Sequence, residues 1–313
     1  MKYPRFLQEG DCVGITALSK GAGNKLLKVK KSLCYLKKDY RLMITPNVYG
    51  DDIVSSSIET RIREFNDLLN EDINGLITAR GGDFAYEVIN ELDLEKVKEK
   101  KLLVELFSDN SLLVYPLTTK YDLATVYGAN SSFFDDDELA QYKLNNLEFL
   151  KGNLVTQKSY PDGNTSSING DFESKGVIIG GCLDAIRFLF GTDLDGTKEF
   201  IEKYKNKKII WYFDIYALNS VDTYLTLLQM KNMGYFKYSD TFLFSSVPYP
   251  RVDCLLEYHD AYKKALGDAN IILNANVGHN EPRFTILNGS LATVTFKDNE
   301  LILKQELMNE NNG

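Results

Sequence analysis

The first half of the chain alternates between short apolar runs and segments in which apolar residues recur at helical spacing. The short runs, each of strand length, cover residues 12–18, 41–46, 75–79 and 101–107. The helically spaced segments cover residues 24–38, 57–70 and 84–92. Strands that alternate with helices in this way predict a parallel sheet with crossover helices, and such sheets bind ligands at the carboxyl ends of their strands.

The second half repeats the alternation after a stretch rich in turn-forming residues, 152–174. Strands are predicted at 176–180, 208–215, 241–247 and 271–277, and helices at 182–190, 221–233 and 253–266. Residues 283–303 then alternate between apolar and polar, with turn signals at Asn288-Gly289 and Asp298-Asn299. This last pattern predicts β-hairpins.

Together these patterns predict an α/β protein of two domains. An N-terminal parallel-sheet, flavodoxin-like domain is expected over residues 1–152, and a linker or crossover over residues 153–174. A C-terminal mixed α/β domain that ends in β-hairpins is expected over residues 175–313, with residues 309–313 frayed. A length of 313 residues with 44% hydrophobic content provides enough material for two packed cores.

Charge and cysteine content narrow the class of protein. With 36 Lys+Arg against 44 Asp+Glu, the net charge is −8, which argues against nucleic acid or an anionic membrane surface as the main partner. The N-terminus does not have the pattern of a signal peptide, and apolar runs of membrane-spanning length are absent from the sequence. The four scattered cysteines indicate buried free thiols and no zinc site: Cys12, Cys34, Cys182 and Cys254. We therefore expect a cytoplasmic protein.

The segment KLLVELFSDNSLLVY, residues 101–115, offers a candidate nucleophile at Ser108. A serine at the point where a buried strand turns into a helix can project its hydroxyl from the sheet edge, close to the helix N–H groups. Ser, Asp and Asn are also the preferred residues for capping a helix. From the local sequence alone, Ser108 is either a helix cap or a nucleophile.

Two further residues have the chemistry that a serine nucleophile requires. Asp214 ends the apolar strand IIWYFD, where a buried carboxylate needs a partner such as histidine, although an Asx turn is an equal alternative. His279 follows a strand end and Gly278, a position that suits either a structural or a functional loop histidine. The other histidine, His259, lies among polar residues of a predicted helix and is expected at the surface.

Six motifs occur in a characteristic order: GDCVGITA, TARGGD, FSDNS, IIGGCLD, YFD and GHxxPR, which begin at residues 10, 78, 107, 178, 212 and 278. In this order they resemble the LD-carboxypeptidase family of serine peptidases, which includes murein tetrapeptide carboxypeptidases and microcin-immunity peptidases. The resemblance covers nearly the whole chain. It implies a nucleophile-bearing N-terminal α/β domain and a C-terminal domain that carries the acid and the base.

By motif position, the resemblance implies Ser108 as nucleophile, His279 as base and Asp214 as the nearest match to the acid. The family's oxyanion hole of main-chain N–H groups maps onto Asp109 and the glycine pair, with Gly82 favoured over Gly81. The implied reaction hydrolyses an amide in a murein-derived peptide or a peptidyl-nucleotide antibiotic, without metal or organic cofactor. The family also tends to form homodimers.

A carboxypeptidase must in addition bind a terminal carboxylate, and two arginines beside motifs, Arg80 and Arg283, are candidates for a bidentate fork.

The chain departs from the family pattern at two positions. Leu106 stands where the family usually has glycine, two residues before the serine, and Asp214 replaces the usual glutamate with a side chain one methylene shorter. A one-residue offset would place Phe213 at the acid position. Two other hypotheses therefore stay open: a catalytically silent homologue that binds peptides or muropeptides, and an unrelated α/β protein in which Ser108 only caps a helix.

Overall fold

The computed structural model describes residues 1–160 and 164–307. The frayed end expected at 309–313 and three residues of the predicted linker, 161–163, lie outside the described residues. In chain order the strands of the described residues are β1 (Cys12–Thr16), β2 (Arg41–Ile44), β3 (Gly75–Thr78), β4 (Leu103–Leu106), β5 (Thr125–Tyr127), β6 (Thr156–Lys158), β7 (Ser166–Ser167), β8 (Phe172–Cys182), β9 (Lys208–Asp214), β10 (Ser239–Ser245), β11 (Asn270–Ala275), β12 (Ile286–Asn288), β13 (Leu291–Lys297) and β14 (Glu300–Gln305).

The helices lie between these strands and cover the faces of the sheets. In chain order they are α1 (Leu26–Leu36), α2 (Ile58–Leu68), α3 (Leu94–Glu99), α4 (Ser111–Thr119), α5 (Gln141–Leu150), α6 (Leu183–Ile186), α7 (Thr197–Lys203), α8 (Ser220–Asn232) and α9 (Tyr258–Leu266). The helix predicted at 84–92 forms instead two short 3₁₀ turns, Ala85–Glu87 and Ile89–Glu91. Its first turn is tied to the neighbouring loop, because the Phe84 N–H donates to Ser19 Oγ at 3.0 Å.

The first sheet has the strand order β12-β5-β4-β3-β1-β2. Strands β1 to β5 run parallel, and β12 pairs antiparallel with β5. Every residue of β1, β3 and β4 is buried, as expected for parallel strands that helices cover on both faces. The predicted N-terminal parallel sheet is confirmed, and it gains one strand from the second half of the chain.

The second sheet has the strand order β6-β14-β13-β8-β9-β10-β11-β7. Its centre, β8 to β11, is parallel, and antiparallel strands flank it on both sides, so it is mixed as predicted. The turn at Asp298-Asn299 closes the hairpin of β13 and β14. The turn at Asn288-Gly289 leads instead from β12 in the first sheet to β13 in the second. The sheets are therefore joined through this crossing.

Within the described residues, no helix combines the length and apolar character needed to cross a membrane. All four cysteines are free thiols. Cys12 and Cys182 are buried as expected, but Cys34 and Cys254 are exposed, so the expectation of burial is wrong for these two. Cys34 lies on the solvent side of the amphipathic helix α1, whose buried face is formed by Val29, Leu33 and Leu36.

Candidate active site

Ser108 lies on a sharp turn between strand β4 and helix α4. Its φ angle is +66°, a left-handed conformation that is uncommon for a residue with a side chain. A strained turn between a strand and a helix is the geometry that exposes a nucleophilic serine at a sheet edge. Gly81 packs against this turn, and a Cβ atom there would lie 2.7 Å from Ser108 Cβ. The glycine at position 81 is therefore required by its contact with Ser108.

A chain of hydrogen bonds connects Ser108, His279 and Asp214. Ser108 Oγ lies 2.9 Å from Nε2 of His279, although the two residues are 171 positions apart. On the other side of the imidazole ring, Nδ1 lies 2.9 Å from Oδ1 and 2.8 Å from Oδ2 of Asp214. With its proton on Nδ1, the ring donates to Asp214 and accepts from Ser108. The hydroxyl of Ser108 thus bonds to a base that a carboxylate orients, rather than capping the helix.

Asp214 is fully buried at the end of β9. Burial alone raises the pKa of this carboxyl, but the charge and hydrogen bonds of His279 and the hydroxyl of Tyr127 outweigh burial and bring the pKa below its ordinary value. The carboxylate is consequently ionised at neutral pH. Phe213, the residue expected at this place under a one-residue offset, instead stacks on Trp211 in the core with 5.6 Å between ring centroids.

The short Asp214 side chain reaches His279 because the backbone of the histidine loop approaches it closely. The His279 main-chain N–H also donates to Oδ1, at 3.2 Å. Gly278, with φ of +97°, permits this approach, since a Cβ atom at 278 would lie 2.2 Å from Oδ1. The methylene that aspartate lacks relative to glutamate is thus offset by a close backbone contact.

Ser111 joins the serine turn to the second sheet. Its hydroxyl donates to the Ser108 carbonyl at 2.6 Å and accepts the N–H of Cys182, the last residue of β8, at 2.9 Å. The carboxyl ends of β4 and β8, which belong to different sheets, therefore meet at this hydroxyl.

Aromatic rings enclose the imidazole of His279. The ring centroids of Tyr216 and Phe107 lie 4.3 and 4.8 Å from it. Tyr216 is held in turn by Asp184, whose carboxylate accepts the N–H groups of Tyr216 and Ala217, each at 2.9 Å. The packed rings restrict the imidazole to the orientation that faces Ser108.

The sequence did not single out four residues that support this site: Tyr127, Ser111, Asp184 and Tyr216. Two of them carried a usable signal. Asp184 belongs to the IIGGCLD motif, and Tyr127-Gly128 stands at the end of a parallel strand, where site residues concentrate. Ser111 and Tyr216 act through contacts with distant segments, which the local sequence does not encode.

Ser108 and His279 open onto a pocket of about 750 Å³. Both residues expected to form the oxyanion hole, Gly82 and Asp109, line it. The lining also contains four basic residues, Lys20, Lys25, Arg80 and Arg187, and two further acidic ones, Asp83 and Asp184. Lys20 also forms an ion pair with Asp83, at 3.3 Å.

The main chain of Gly82 hydrogen-bonds to the carboxyl of Asp109, the residue after Ser108. Burial raises the pKa of the Asp109 carboxyl to about 6, opposed by hydrogen bonds from Ser19 and from the main chain of Ala85 and Gly82. A Cβ atom at Gly82 would meet Ser19 Oγ at 2.2 Å, whereas one at Gly81 would meet Ser108. Gly82 thus contacts the Ser19 loop, and Gly81 is the glycine against the serine.

The structure separates the two candidate arginines. Arg80 lines the main pocket, and its Nη1 donates to the carbonyls of Gly21 and Ala22, at 3.0 and 3.3 Å. Arg283 is buried outside that lining. Its guanidinium lies between the rings of Phe107 and Phe133, 4.0 and 4.2 Å from their centroids, and borders a smaller cavity of about 220 Å³.

Three potential metal ligands meet at this site. Atoms of Cys182, Asp214 and His279 lie within 4.8 Å of one another. Asp214 and His279 are engaged with each other and with Tyr127 and Ser108. Burial raises the pKa of the Cys182 thiol well above its ordinary value, which disfavours the thiolate that binds metals. The arrangement therefore suits proton transfer better than metal binding.

Comparison with known proteins gives the same fold. Similar solved structures include the microcin C7 self-immunity protein MccF, with 17% identity and a TM-score of 0.79 over 97% of this chain and 98% of that one. A muramoyltetrapeptide carboxypeptidase from Oxalobacter formigenes has 16% identity and a TM-score of 0.76, covering 94% and 98%. An MccF-like protein from Bacillus anthracis str. Ames has 20% identity and a TM-score of 0.76, covering 98% and 100%.

A search of curated proteins found no match to the chain. Family models, in contrast, match both halves. The LD-carboxypeptidase N-terminal domain matches residues 13–128, and the LD-carboxypeptidase C-terminal domain matches residues 175–294. Because these two matches cover more than half of the sequence in the expected order, the chain belongs to the LD-carboxypeptidase family.

Proposed function

We propose that this protein is a serine peptidase of the LD-carboxypeptidase type, which hydrolyses an amide bond through Ser108, His279 and Asp214. The observation that carries the proposal is the unbroken hydrogen-bond chain from Ser108 Oγ through the imidazole to the buried carboxylate, at distances of 2.8 to 2.9 Å. The hydroxyl at one end of this chain faces a pocket large enough for a peptide-sized ligand.

In the proposed reaction, Ser108 is the nucleophile, His279 the general base and acid, and Asp214 the residue that orients His279. His279 takes the proton of Ser108 through Nε2 as the serine oxygen attacks the substrate carbonyl carbon. Asp214 holds the proton of Nδ1 in place and stabilises the cationic ring. His279 then gives its proton to the leaving amine as the amide bond breaks. In the second half of the reaction His279 takes a proton from water, the water oxygen attacks the acyl carbon, and His279 returns the proton to Ser108 Oγ as the ester bond breaks.

Main-chain N–H groups are proposed to hold the tetrahedral oxyanion. Asp109 follows the nucleophile at the start of a helix, where N–H groups point outward, and Gly82 lines the same pocket. Gly82 and Asp109 follow the carboxyl ends of β3 and β4, which are neighbours in the first sheet, and this arrangement supports the proposal.

A free carboxylate of the substrate is proposed to pair with a basic residue of the pocket lining. Of the two arginines considered, we assign this role to Arg80, because it lines the pocket that contains Ser108. Arg283 is assigned a packing role against Phe107, the residue that precedes the nucleophile.

Two substrate classes follow from the family and its solved relatives. One relative is a muramoyltetrapeptide carboxypeptidase, and MccF has been solved with glutamyl sulfamoyl guanosine and aspartyl sulfamoyl adenosine. We accordingly propose a murein-derived peptide or a peptidyl-nucleotide antibiotic as the substrate. Incubation with each, followed by mass spectrometry, distinguishes loss of D-alanine from cleavage of the peptide–nucleotide amide.

A fluorophosphonate probe tests the nucleophile directly. We expect the wild-type protein to be labelled on Ser108, Ser108→Ala to remain unlabelled, and His279→Ala to label far more slowly. Ser132→Ala, in the same pocket, and His259→Ala, on an exposed histidine, serve as matched controls that keep full labelling. A folded wild-type protein that neither labels nor hydrolyses either substrate would overturn the proposal and leave peptide binding by a silent homologue, which calorimetry with the tetrapeptide detects.

A further inference from the structure

Tyr127 extends the hydrogen-bond chain by one more residue. It ends strand β5 of the first sheet, and its hydroxyl donates to Oδ2 of Asp214, which ends β9 of the second sheet. Tyr127 is 1% exposed and Asp214 is completely buried. The bond therefore joins the two sheets directly behind the imidazole, out of reach of solvent.

The hydroxyl of Tyr127 is a donor throughout the working pH range. Burial, followed by the negative charge of Asp214, raises the pKa of Tyr127 well above its ordinary value. Its proton is thus always available to Oδ2. Oδ1 accepts the main-chain N–H of His279, and the ring Nδ1 lies near both oxygens, so the Tyr127 hydroxyl is a donor to Oδ2 from the side opposite the histidine loop.

The ring of Tyr127 is held as firmly as its hydroxyl. It packs between Phe107 and Tyr212, with centroids 5.0 and 5.6 Å away. Phe107 precedes Ser108 and also contacts the ring of His279. Tyr127 therefore bonds directly to Asp214 and packs on Phe107, which adjoins both Ser108 and His279. It does not line the proposed substrate pocket.

We infer that Tyr127 is a positioning residue, whose hydroxyl fixes the orientation of the short Asp214 carboxylate and thereby aligns His279 with Ser108. This inference rests on the proposed function. A carboxylate bound on one side only can rotate about its Cβ–Cγ bond, and a small displacement of a catalytic base is costly in rate. A tyrosine that merely fills the core would influence stability without changing the chemistry of the imidazole.

Tyr127→Phe removes the hydroxyl and keeps the ring. Because the lost bond is to a charged group, we expect kcat to fall about 10- to 100-fold. KM should stay unchanged, since Tyr127 does not line the pocket. The acid limb of the pH profile of kcat/KM should move to lower pH, because a displaced Asp214 carboxylate stabilises the cationic form of His279 less.

Tyr212→Phe is the matched control. Its hydroxyl is equally buried and lies one ring away, but it donates to Asn288 Oδ1 at 3.0 Å and not to Asp214. We expect this variant to keep the wild-type kcat and pH profile. In the Asp214→Asn background, Tyr127→Phe should cause little further loss, because the two residues act through one bond.

Proton NMR provides a readout that does not require turnover. The chain has two histidines, so the low-field proton on Nδ1 of His279 is assigned by its persistence in His259→Asn. We expect this resonance to move upfield and exchange faster in Tyr127→Phe, and to stay unchanged in Tyr212→Phe.

The two proposals fail in different ways. An inactive, unlabelled wild-type protein rejects the peptidase, while the resonance still reports on the Tyr127 contact. An active wild-type protein whose Tyr127→Phe variant has unchanged kcat, pH profile and resonance overturns the role of Tyr127.

Discussion

Gly278 packs directly against the carboxylate of Asp214. A Cβ atom at position 278 would lie 2.2 Å from Oδ1, and the φ angle of +97° disfavours any residue with a side chain. Two requirements therefore meet at one glycine: the backbone conformation of the histidine loop and the close approach that lets an aspartate reach His279.

Gly278→Ala should consequently separate Asp214 from His279. We expect kcat/KM to fall about 100-fold or more, because a shift of about 1 Å is enough for such a loss. Gly234→Ala is the control, since Gly234 has a φ of +83° but a Cβ atom there would have no neighbour within 4 Å. It should lose stability from backbone strain and keep its activity per folded molecule. Equal activity losses in both variants would contradict the assigned contact.

Leu106 is fully buried in β4 and packs in the core below the serine turn. We therefore expect that glycine at this position does not improve the proposed activity. Leu106→Gly should lower the free energy of unfolding by about 4 kcal/mol, from the cavity and the added backbone freedom, and Leu106→Ala by about 1 kcal/mol less. Urea unfolding measures both. Faster fluorophosphonate labelling in a fully stable Leu106→Gly protein would show that Leu106 instead strains the turn.

Glu105, in the same strand, is completely buried. Burial raises its pKa from 4.5 to about 8, against smaller opposing effects of hydrogen bonds from Asn146 and the Ala129 N–H and of the charge of Arg283. At neutral pH the folded protein therefore holds a proton on Glu105 that the unfolded chain releases. The stabilisation by this proton is complete below about pH 4.5 and is lost as the pH rises toward 8.

Glu105→Gln should abolish this dependence. In the wild-type protein we expect the free energy of unfolding to fall with rising pH between 6 and 8, with a limiting slope of about 1.4 kcal/mol per pH unit. The amide keeps the bond from Asn146 without a titrating proton, so its slope should be flatter and its stability at pH 8 higher. Denaturant unfolding at several pH values measures this; identical slopes would show that Glu105 is ionised at neutral pH.

Substitution by glutamine should have different effects on KM and on stability at Arg80 and at Arg283. Arg80→Gln is expected to raise KM about 10-fold or more for a peptide with a free carboxylate, since a charge-assisted pair is lost, with little change in kcat. A substrate with an amidated C-terminus should show no such difference. Arg283→Gln should leave KM unchanged and lower stability, because its guanidinium packs between two aromatic rings. A raised KM in Arg283→Gln alone would reverse the assignment.

The sequence by itself determined the two α/β halves, the position of Ser108 after a buried strand and that of His279 after another. Strand and helix periodicity and the order of turn motifs are local properties, so they can be read along the chain. The prediction of a helix at 84–92 was wrong. Apolar residues recur there at helical spacing, but contacts of this segment with other loops, such as the bond from the Phe84 N–H to Ser19, favour two 3₁₀ turns instead.

Tertiary structure alone decided the contacts between distant segments. It brought β12 into the first sheet, buried Arg283 away from the pocket, placed Gly81 rather than Gly82 against Ser108, and set Tyr127 behind Asp214. These outcomes depend on which strand ends lie together when the two sheets pack. They also depend on differences in interatomic distance that are shorter than the length of one methylene group, which the sequence does not reveal. Asp214 is the clearest example. From the sequence, its side chain is one methylene too short to contact His279 in the way the family's glutamate does. In the structure, the backbone at Gly278 and His279 lies close enough for the shorter carboxylate to bond to the histidine.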